Sequence, residues 1–249
     1  MDSGSAAGLR LVLLAERPDL APALDDLRHS RPAFMRADPV SWMLSLLGPY
    51  PDFQLALLDG DRPVARAHSV PFPWDHDEAS LPDTGWDTIL ACGVVAPVRG
   101  RQPTAVSALE ISITPEWQSK GLSRVLIGGL RAAAAGAGYR DLVAPVRPFR
   151  KADHPDVPMA DYVTWRRPDG LPVDPWLRVH ERAGGRIVKV CAASMVVPGT
   201  LAQWREWTGL PFDRSGDVLV PGGLAPVHVS VEHDHAVYVE ANVWVRHQL

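Results

Sequence analysis

Cysteine is scarce, with only Cys92 and Cys191 in 249 residues, far apart and in no metal-like spacing. That excludes a disulfide framework and fits a reducing, cytoplasmic setting. Cys191 lies in the apolar run RIVKVCAASMVV and reads as a small buried hydrophobe. Positive charge is not in excess. Lys and Arg number 25 against 29 Asp and Glu, a net charge of −4 with a pI near 6.1. This excludes a global electrostatic pull on nucleic acid. No apolar run approaches the ~20 residues of a membrane-spanning helix. The opening MDSGSAAG lacks the basic flank and apolar centre of a secretory signal, so residues 1–8 are expected to form a disordered tip. The nucleotide loop GxxxxGK[ST], the dinucleotide pattern GxGxxG, internal repeats and low-complexity tracts are all missing.

Proline and tryptophan, by contrast, are plentiful, at 24 and 9 residues. The prolines gather at 145–175 and near 211–226, and several tryptophans share those stretches. Disordered segments are poor in aromatics, so these are expected to be ordered loops. At 46% hydrophobic and 22% charged, the chain has an ordinary globular composition.

Periodicity predicts strands at 9–14, 53–58, 64–72, 106–113, 140–146 and 186–197, and a hairpin spanning 226–245. It predicts helices at 19–28, 39–47 (opened by Asp38-Pro39), 121–135, from Asp174-Pro175, and over 200–209, with a short one near 85–93. The result is one mixed α/β domain over 9–249, interrupted by a long proline-rich insert at 147–173 and extended over about 191–249.

The stretch ISITPEWQSKGLSRVLIGG, 111–129, runs from a strand through a tight loop into a helix. A helix N-terminus leaves backbone N–H groups unpaired and carries partial positive charge. A loop feeding it is an anion site suited to phosphate. Gly121 permits close backbone approach, Ser123 is small, and Lys120 adds a full charge.

This run resembles the acyl-CoA pyrophosphate loop of the GNAT superfamily of N-acetyltransferases, a strand followed by [Q/R]-x-x-G-x-[G/A] and a helix. Gln118, Gly121 and Ser123 stand at the marked positions, Ser replacing the usual Gly or Ala. The lead-in Ile113-Thr114-Pro115-Glu116-Trp117 is similar too, and VHERAGG at 179–185 looks like the family's helix end. The resemblance implies a sheet split into a V and acetyl-CoA, or another acyl-CoA, in the split. Ile111 and Ile113 would line the pantetheine arm, and Gln118, Ser119, Lys120, Gly121, Leu122 and Ser123 would hold the pyrophosphate. Backbone N–H near Ile113 would polarise the thioester carbonyl.

The same resemblance implies direct attack by an amine, with Glu110 as candidate base and His180 as candidate acid. His180 stands where the family commonly has Tyr, and an imidazole of ordinary pKa can donate a proton at physiological pH. Tyr162, Trp165 and Trp176 could wall an acceptor pocket, or simply fill core beneath the insert. Arg147, Arg150 and Lys151 could hold the CoA 3′-phosphate or an acidic acceptor, or simply be solvated. His233-Asp234-His235 reads as a polar turn, with no Cys or Glu to complete a ligand set, so no metal is expected.

The expected activity is N-acyl transfer, most simply N-acetyl transfer, to a small-molecule or peptide amine, with no nucleic acid or membrane partner. The alternatives are a GNAT-like decarboxylase acting on a malonyl thioester, or a non-catalytic acyl-CoA-binding module. Many members form homodimers through edge strands, and the terminal hairpin is suited to that, although no residue fixes the oligomeric state.

Overall fold

The computed structural model describes residues 8–27 and 31–249. The expectations for the tip at 1–7 and for the end of the helix predicted at 19–28 therefore lie outside the described residues. In chain order, β1 (Leu9–Leu13), α1 (Ala21–Asp25), β2 (Gln54–Asp59), β3 (Arg62–Phe72), α2 (Gly85–Val95), β4 (Ala105–Ile113) and α3 (Leu122–Gly136) come first. They are followed by β5 (Asp141–Val146), α4 (Met159–Tyr162), α5 (Pro175–Arg182), β6 (Arg186–Gly199), α6 (Leu201–Thr208), β7 (Gly216–Val218), β8 (Val227–Ser230) and β9 (His235–Gln248).

One nine-stranded sheet joins them in the order β1-β2-β3-β4-β5-β9-β8-β7, with β6 on the other edge of β9. Every pairing is antiparallel except β4 with β5. That parallel pairing covers only Val106↔Leu142 and Ser107↔Val143. Beyond these two rungs the strands part, and the V-shaped split expected from the resemblance is present. A second gap lies beside it. β9 pairs with β5 up to Val243 and with β8 from Tyr238, so residues 239–242 have neither neighbour on that edge.

Adjacent residues of β5 divide the core into two layers, as alternating strand side chains must. Val143 joins a cluster with Phe34, Trp86, Trp204, Tyr238 and Trp244 on the α2 and α6 side. Leu142 joins Leu126, Leu130 and Ala134 of α3 on the other side. Ala144 and Val146 pack there with Leu177 of α5 and with Met159 and Tyr162 of α4. The α3 helix presents Leu122, Leu126, Ile127, Leu130 and Ala134 to the sheet. Gly129 lets it sit close, since a Cβ there would collide with Leu11 and Leu55.

The segments predicted as helices at 19–28 and 39–47 are largely 3-10 turns, at Pro18–Leu20 and Ser41–Leu47, α1 itself is only five residues long, and a further 3-10 turn at Ala33–Ala37 went unpredicted. The predicted cap at Asp38 forms, its Oδ1 accepting from the N–H groups of Val40 and Ser41 at 2.9 Å. Short polar side chains favour such local bonds in turns as readily as at α-helix starts. Asp174 likewise caps α5 through Trp176 and Leu177. The short strand β7 went unpredicted, because GDV carries too little alternation to register.

Candidate active site

The loop before α3 adopts the conformation an anion site needs. Gly121, the N-cap residue, has φ 77°, and the helix carries no side-chain cap, so its first N–H groups have no side-chain acceptor. Ser119 has φ 61°, unusual for a residue with a Cβ. Alternating backbone turns of this kind aim successive N–H groups into one concavity. Gln118 Nε2 donates to the Ile113 carbonyl at 3.1 Å and ties the loop to the end of β4. The Lys120 ammonium lies 4.4 Å from the centre of the Trp117 ring. Residues 118–121 are exposed, so a large ligand can reach them.

A cavity of about 280 Å³ opens at the split. Ala108 to Ile111 of β4 and Ala144 to Arg147 at the end of β5 form its walls. Between these walls β4 is irregular. Ala108 pairs with Ser69 and Glu110 with His68, leaving Leu109 as an extra residue. A bulge of this kind puts two consecutive side chains on one face. Leu109 accordingly joins the α2-side core, and Glu110 points to that side as well, while Ala108 and Ile111 pack on the α3 side. Beyond the bulge the ladder is regular. Thr114 N–H donates to the Val64 carbonyl, so alternation sends the N–H groups of Ile111 and Ile113 toward the split.

Glu110 is buried with Arg66. Arg66 Nε donates to Glu110 Oε1 at 2.9 Å, and Ser112 Oγ donates to the same oxygen at 2.6 Å. Arg31 Nη2 lies 3.7 Å from Oε2, and its guanidinium lies over Trp86. A buried carboxylate requires this pairing. Glu110 therefore faces the cavity and is also the structural partner of an arginine.

A second paired carboxylate stands across the cavity. Glu240, on the stretch of β9 that has no neighbour on its β5–β8 edge, is fully buried and accepts from Arg147 Nε at 2.9 Å, Tyr238 Oη at 2.8 Å and Asn242 Nδ2 at 3.1 Å. Close by, the buried carboxyls of Asp38 and Asp87 face each other. Burial and the neighbouring Asp38 charge push the Asp87 carboxyl up to about 8.

His180 reaches the cavity from the opposite face. It is buried on α5, and its Nδ1 lies 2.9 Å from Nε2 of His247 on β9. Burial, with His247 beside it, pushes the His180 imidazole down to about 3. The candidate acid was expected on the premise of an ordinary imidazole pKa, and burial moves His180 well below that value.

Of the three aromatics proposed for the acceptor pocket, only Trp176 lines the cavity. Tyr162 is buried with its hydroxyl on Asp174 Oδ2 at 3.0 Å, and Trp165 packs on it at 5.1 Å. Both pack into the core cluster beneath the insert with Met159 and Leu177 and do not line this cavity. Lys151 is buried too, its Nζ held by the carbonyls of Leu224 at 2.6 Å and His154 at 2.8 Å, and Arg150 pairs with Asp153. Neither is held as a free anion clamp, while Arg147 is engaged by Glu240. His233 bonds Ser230 within the β8–β9 turn, where Asp234 has φ 45°.

Arg31, Arg66, Trp86, Glu240 and His247 escaped sequence reasoning. Of these, Glu240 left a signal, an acidic residue at an inward position, with Asn242 at the next, in the alternation VYVEANVWV.

No protein-family model matches the chain. It is 34% identical, over a 276-residue alignment covering 97% of this chain and 94% of the relative, to the arginine N-acetyltransferase avaD of Aspergillus versicolor. In fold it is similar to the loading GNATL domain of CurA from Lyngbya majuscula, with a TM-score of 0.60, 21% identity and 96% of each chain covered. It is also similar to the GphF GNAT-like decarboxylase in complex with isobutyryl-CoA, with a TM-score of 0.55, 18% identity, and 96% and 98% coverage.

Proposed function

The chain belongs to the GNAT superfamily, and from that premise we propose that it transfers an acetyl group from acetyl-CoA to the amine of an arginine-like acceptor. Its class of activity is N-acyl transfer. The observation that carries the finer reading is the cavity at the β4–β5 split, which lies just upstream on β4 of an α3 N-terminus without a side-chain cap.

The residues present fit an acyl-CoA. The N–H groups of 119–123 would hold the pyrophosphate, and those of Ile111 and Ile113 would face the pantetheine arm. When bound, acyl-CoA supplies an acyl group activated as a thioester. Leu109, Trp86 and Met195 close the α2 side of the cavity, which supports a short acyl group.

The acceptor would enter from the face of Glu110 and Glu240. There the ion pairs of Arg31 with Glu110 and of Arg147 with Glu240 put both signs of charge on the cavity wall, a pattern suited to an amino acid carrying both signs. Arg66 and Arg31 already engage the Glu110 carboxylate, which leaves it less available as a base. It would therefore take a proton only from a nitrogen already acidified by forming its new bond, directly or through one water. The proton given up by the acceptor nitrogen ends on the released thiol, so the exchange is balanced. The two free thiols, Cys92 and Cys191, support a reducing, cytoplasmic site of action.

Calorimetric titration with acetyl-CoA tests the reading. Micromolar binding that disappears in Gly121→Glu, followed by acetylation of arginine, is the expected result. Absence of binding would overturn it. Release of CO₂ from malonyl-CoA with no amine present would replace it with the decarboxylase reading.

A further inference from the structure

We propose that Asn242 is a specificity-determining residue whose side-chain carbonyl oxygen takes an N–H of the attacking amine, resting on the preceding reading that an amine meets the thioester in this cavity.

Asn242 is the sole asparagine of the chain. It is 2% exposed, and it lines the cavity together with Ala108 to Ile111 of β4. Alternation along β9 puts Tyr238, Glu240, Asn242 and Trp244 on one face, the α2 side that also carries Trp86, Leu109 and Met195.

The neighbours of Asn242 fix which way its amide points. Nδ2 lies 3.1 Å from Glu240 Oε1 and 3.1 Å from the Ala241 carbonyl oxygen. Both neighbours are acceptors, so the NH2 end must face them. The flipped amide would set one oxygen against two others and lose both bonds. Oδ1 is thereby turned away from them, and among the described residues no donor reaches it. Polar atoms of a side chain this buried are normally matched. Asn242 meets open space at the cavity, so the missing partner belongs to whatever fills it.

That partner must be a donor, since an amide oxygen accepts. A guanidinium is matched best by a carboxylate with lone pairs to spare. Asn242 is uncharged, and Glu240 beside it is already engaged, Oε1 by Arg147 and Asn242, Oε2 by Arg147 and Tyr238. An uncharged N–H is therefore the better match, and the reaction calls for one. The nitrogen must be neutral to attack. A carboxylate at this position would hold it as an ammonium. An amide oxygen orients it through one N–H, takes no proton, and leaves its lone pair for the thioester carbonyl.

The first test is NMR of protein labelled with ¹⁵N-asparagine, in which Asn242 gives the one side-chain NH2 signal. In the unliganded protein at pH 7 both protons should be protected from exchange with solvent, as Glu240 and Ala241 hold them. Rapid exchange overturns the orientation and the proposal with it. With CoA bound, which permits no turnover, arginine should shift this signal saturably. No shift while calorimetry registers bound arginine also overturns it.

The second test is kinetic. Asn242→Leu nearly keeps the shape and removes the oxygen. It should lower kcat/KM for arginine about tenfold, as for one lost hydrogen bond, with acetyl-CoA affinity within about twofold. Norleucine, which has the same amine and no guanidinium, should lose the same factor. Unchanged arginine kinetics, an equal loss of acetyl-CoA affinity, or a loss confined to arginine overturns the assignment. A parent protein that acetylates neither amino acid overturns the proposed reaction instead, while the unliganded amide signal still decides how Asn242 is held.

Discussion

The two faces of the sheet meet at the same cavity and solve the problem of buried polarity in opposite ways. On the α2 side the charges are kept and paired, Glu110 with Arg66 and Arg31, and Glu240 with Arg147. On the α5 side the ionisable groups are discharged, with His180 and His247 both held neutral and hydrogen-bonded to each other. A carboxylate–guanidinium pair can offset its desolvation with charge-assisted bonds, whereas an imidazole sheds its charge at little cost. The lesson is that one cavity can be charged on its α2 side and uncharged on its α5 side, because each side-chain chemistry has its own way of meeting burial.

The largest effect expected from breaking this contrast lies on the charged face. Arg66→Met leaves Glu110 buried without its main partner and should cost about 3–5 kcal/mol of stability, measured by urea unfolding. Adding Glu110→Gln should recover much of that loss, and no recovery would mean that Arg66 matters for packing alone. Next in size, Glu110→Gln by itself should lower kcat about 10²-fold with acetyl-CoA affinity retained. An unchanged rate would leave Glu110 as a structural partner only.

On the neutral face the contrast is read through pH. His180 and His247 titrate at about 3 and about 4 in the folded chain, against about 6.5 when unfolded. Between these values the unfolded state binds more protons, so stability is full above about pH 6.5 and is lost as pH falls toward 4. Asp87 has the opposite sign. Its folded value of about 8 lies above that of a free carboxyl, so its contribution is present in acid and lost as pH rises toward 8. Urea midpoints of the parent and Asp87→Asn across pH 4–8 should separate the two arms, and a flat parent profile would contradict both. The smallest effect belongs to Arg31→Ala. Its guanidinium is partly exposed and 3.7 Å from Glu110, so the loss should stay under about 1 kcal/mol by the same unfolding measurement.

Much of the frame was legible because it rests on local rules. Alternation marked β4, β5 and β9, a 3.6-residue stripe marked α3, and Asp174-Pro175 announced the start of α5. The helices predicted before β2 failed for a related reason. Apolar spacing over 7–10 residues fits a chain of 3-10 turns as well as an α-helix, and packing chose between them. Tyr162 and Trp165 were proposed as pocket walls because aromatics in a long loop suit either a core or a site. The Asp174–Tyr162 hydrogen bond and the Tyr162–Trp165 contact hold both in the core cluster beneath the insert, and no local pattern encodes that packing.

By itself the sequence determined the elements, the strand–loop–helix at 111–129 and the family it points to, because hydrophobic period, capping and glycine conformation act over a few residues. Only the tertiary structure decided what Glu110 and His180 are. Glu110 meets Arg66 across the β3–β4 ladder at a bulge, and His180 meets His247 sixty-seven positions away. Protonation state and partner are fixed by burial and by distant neighbours, and these exist only once the sheet has brought its strands together.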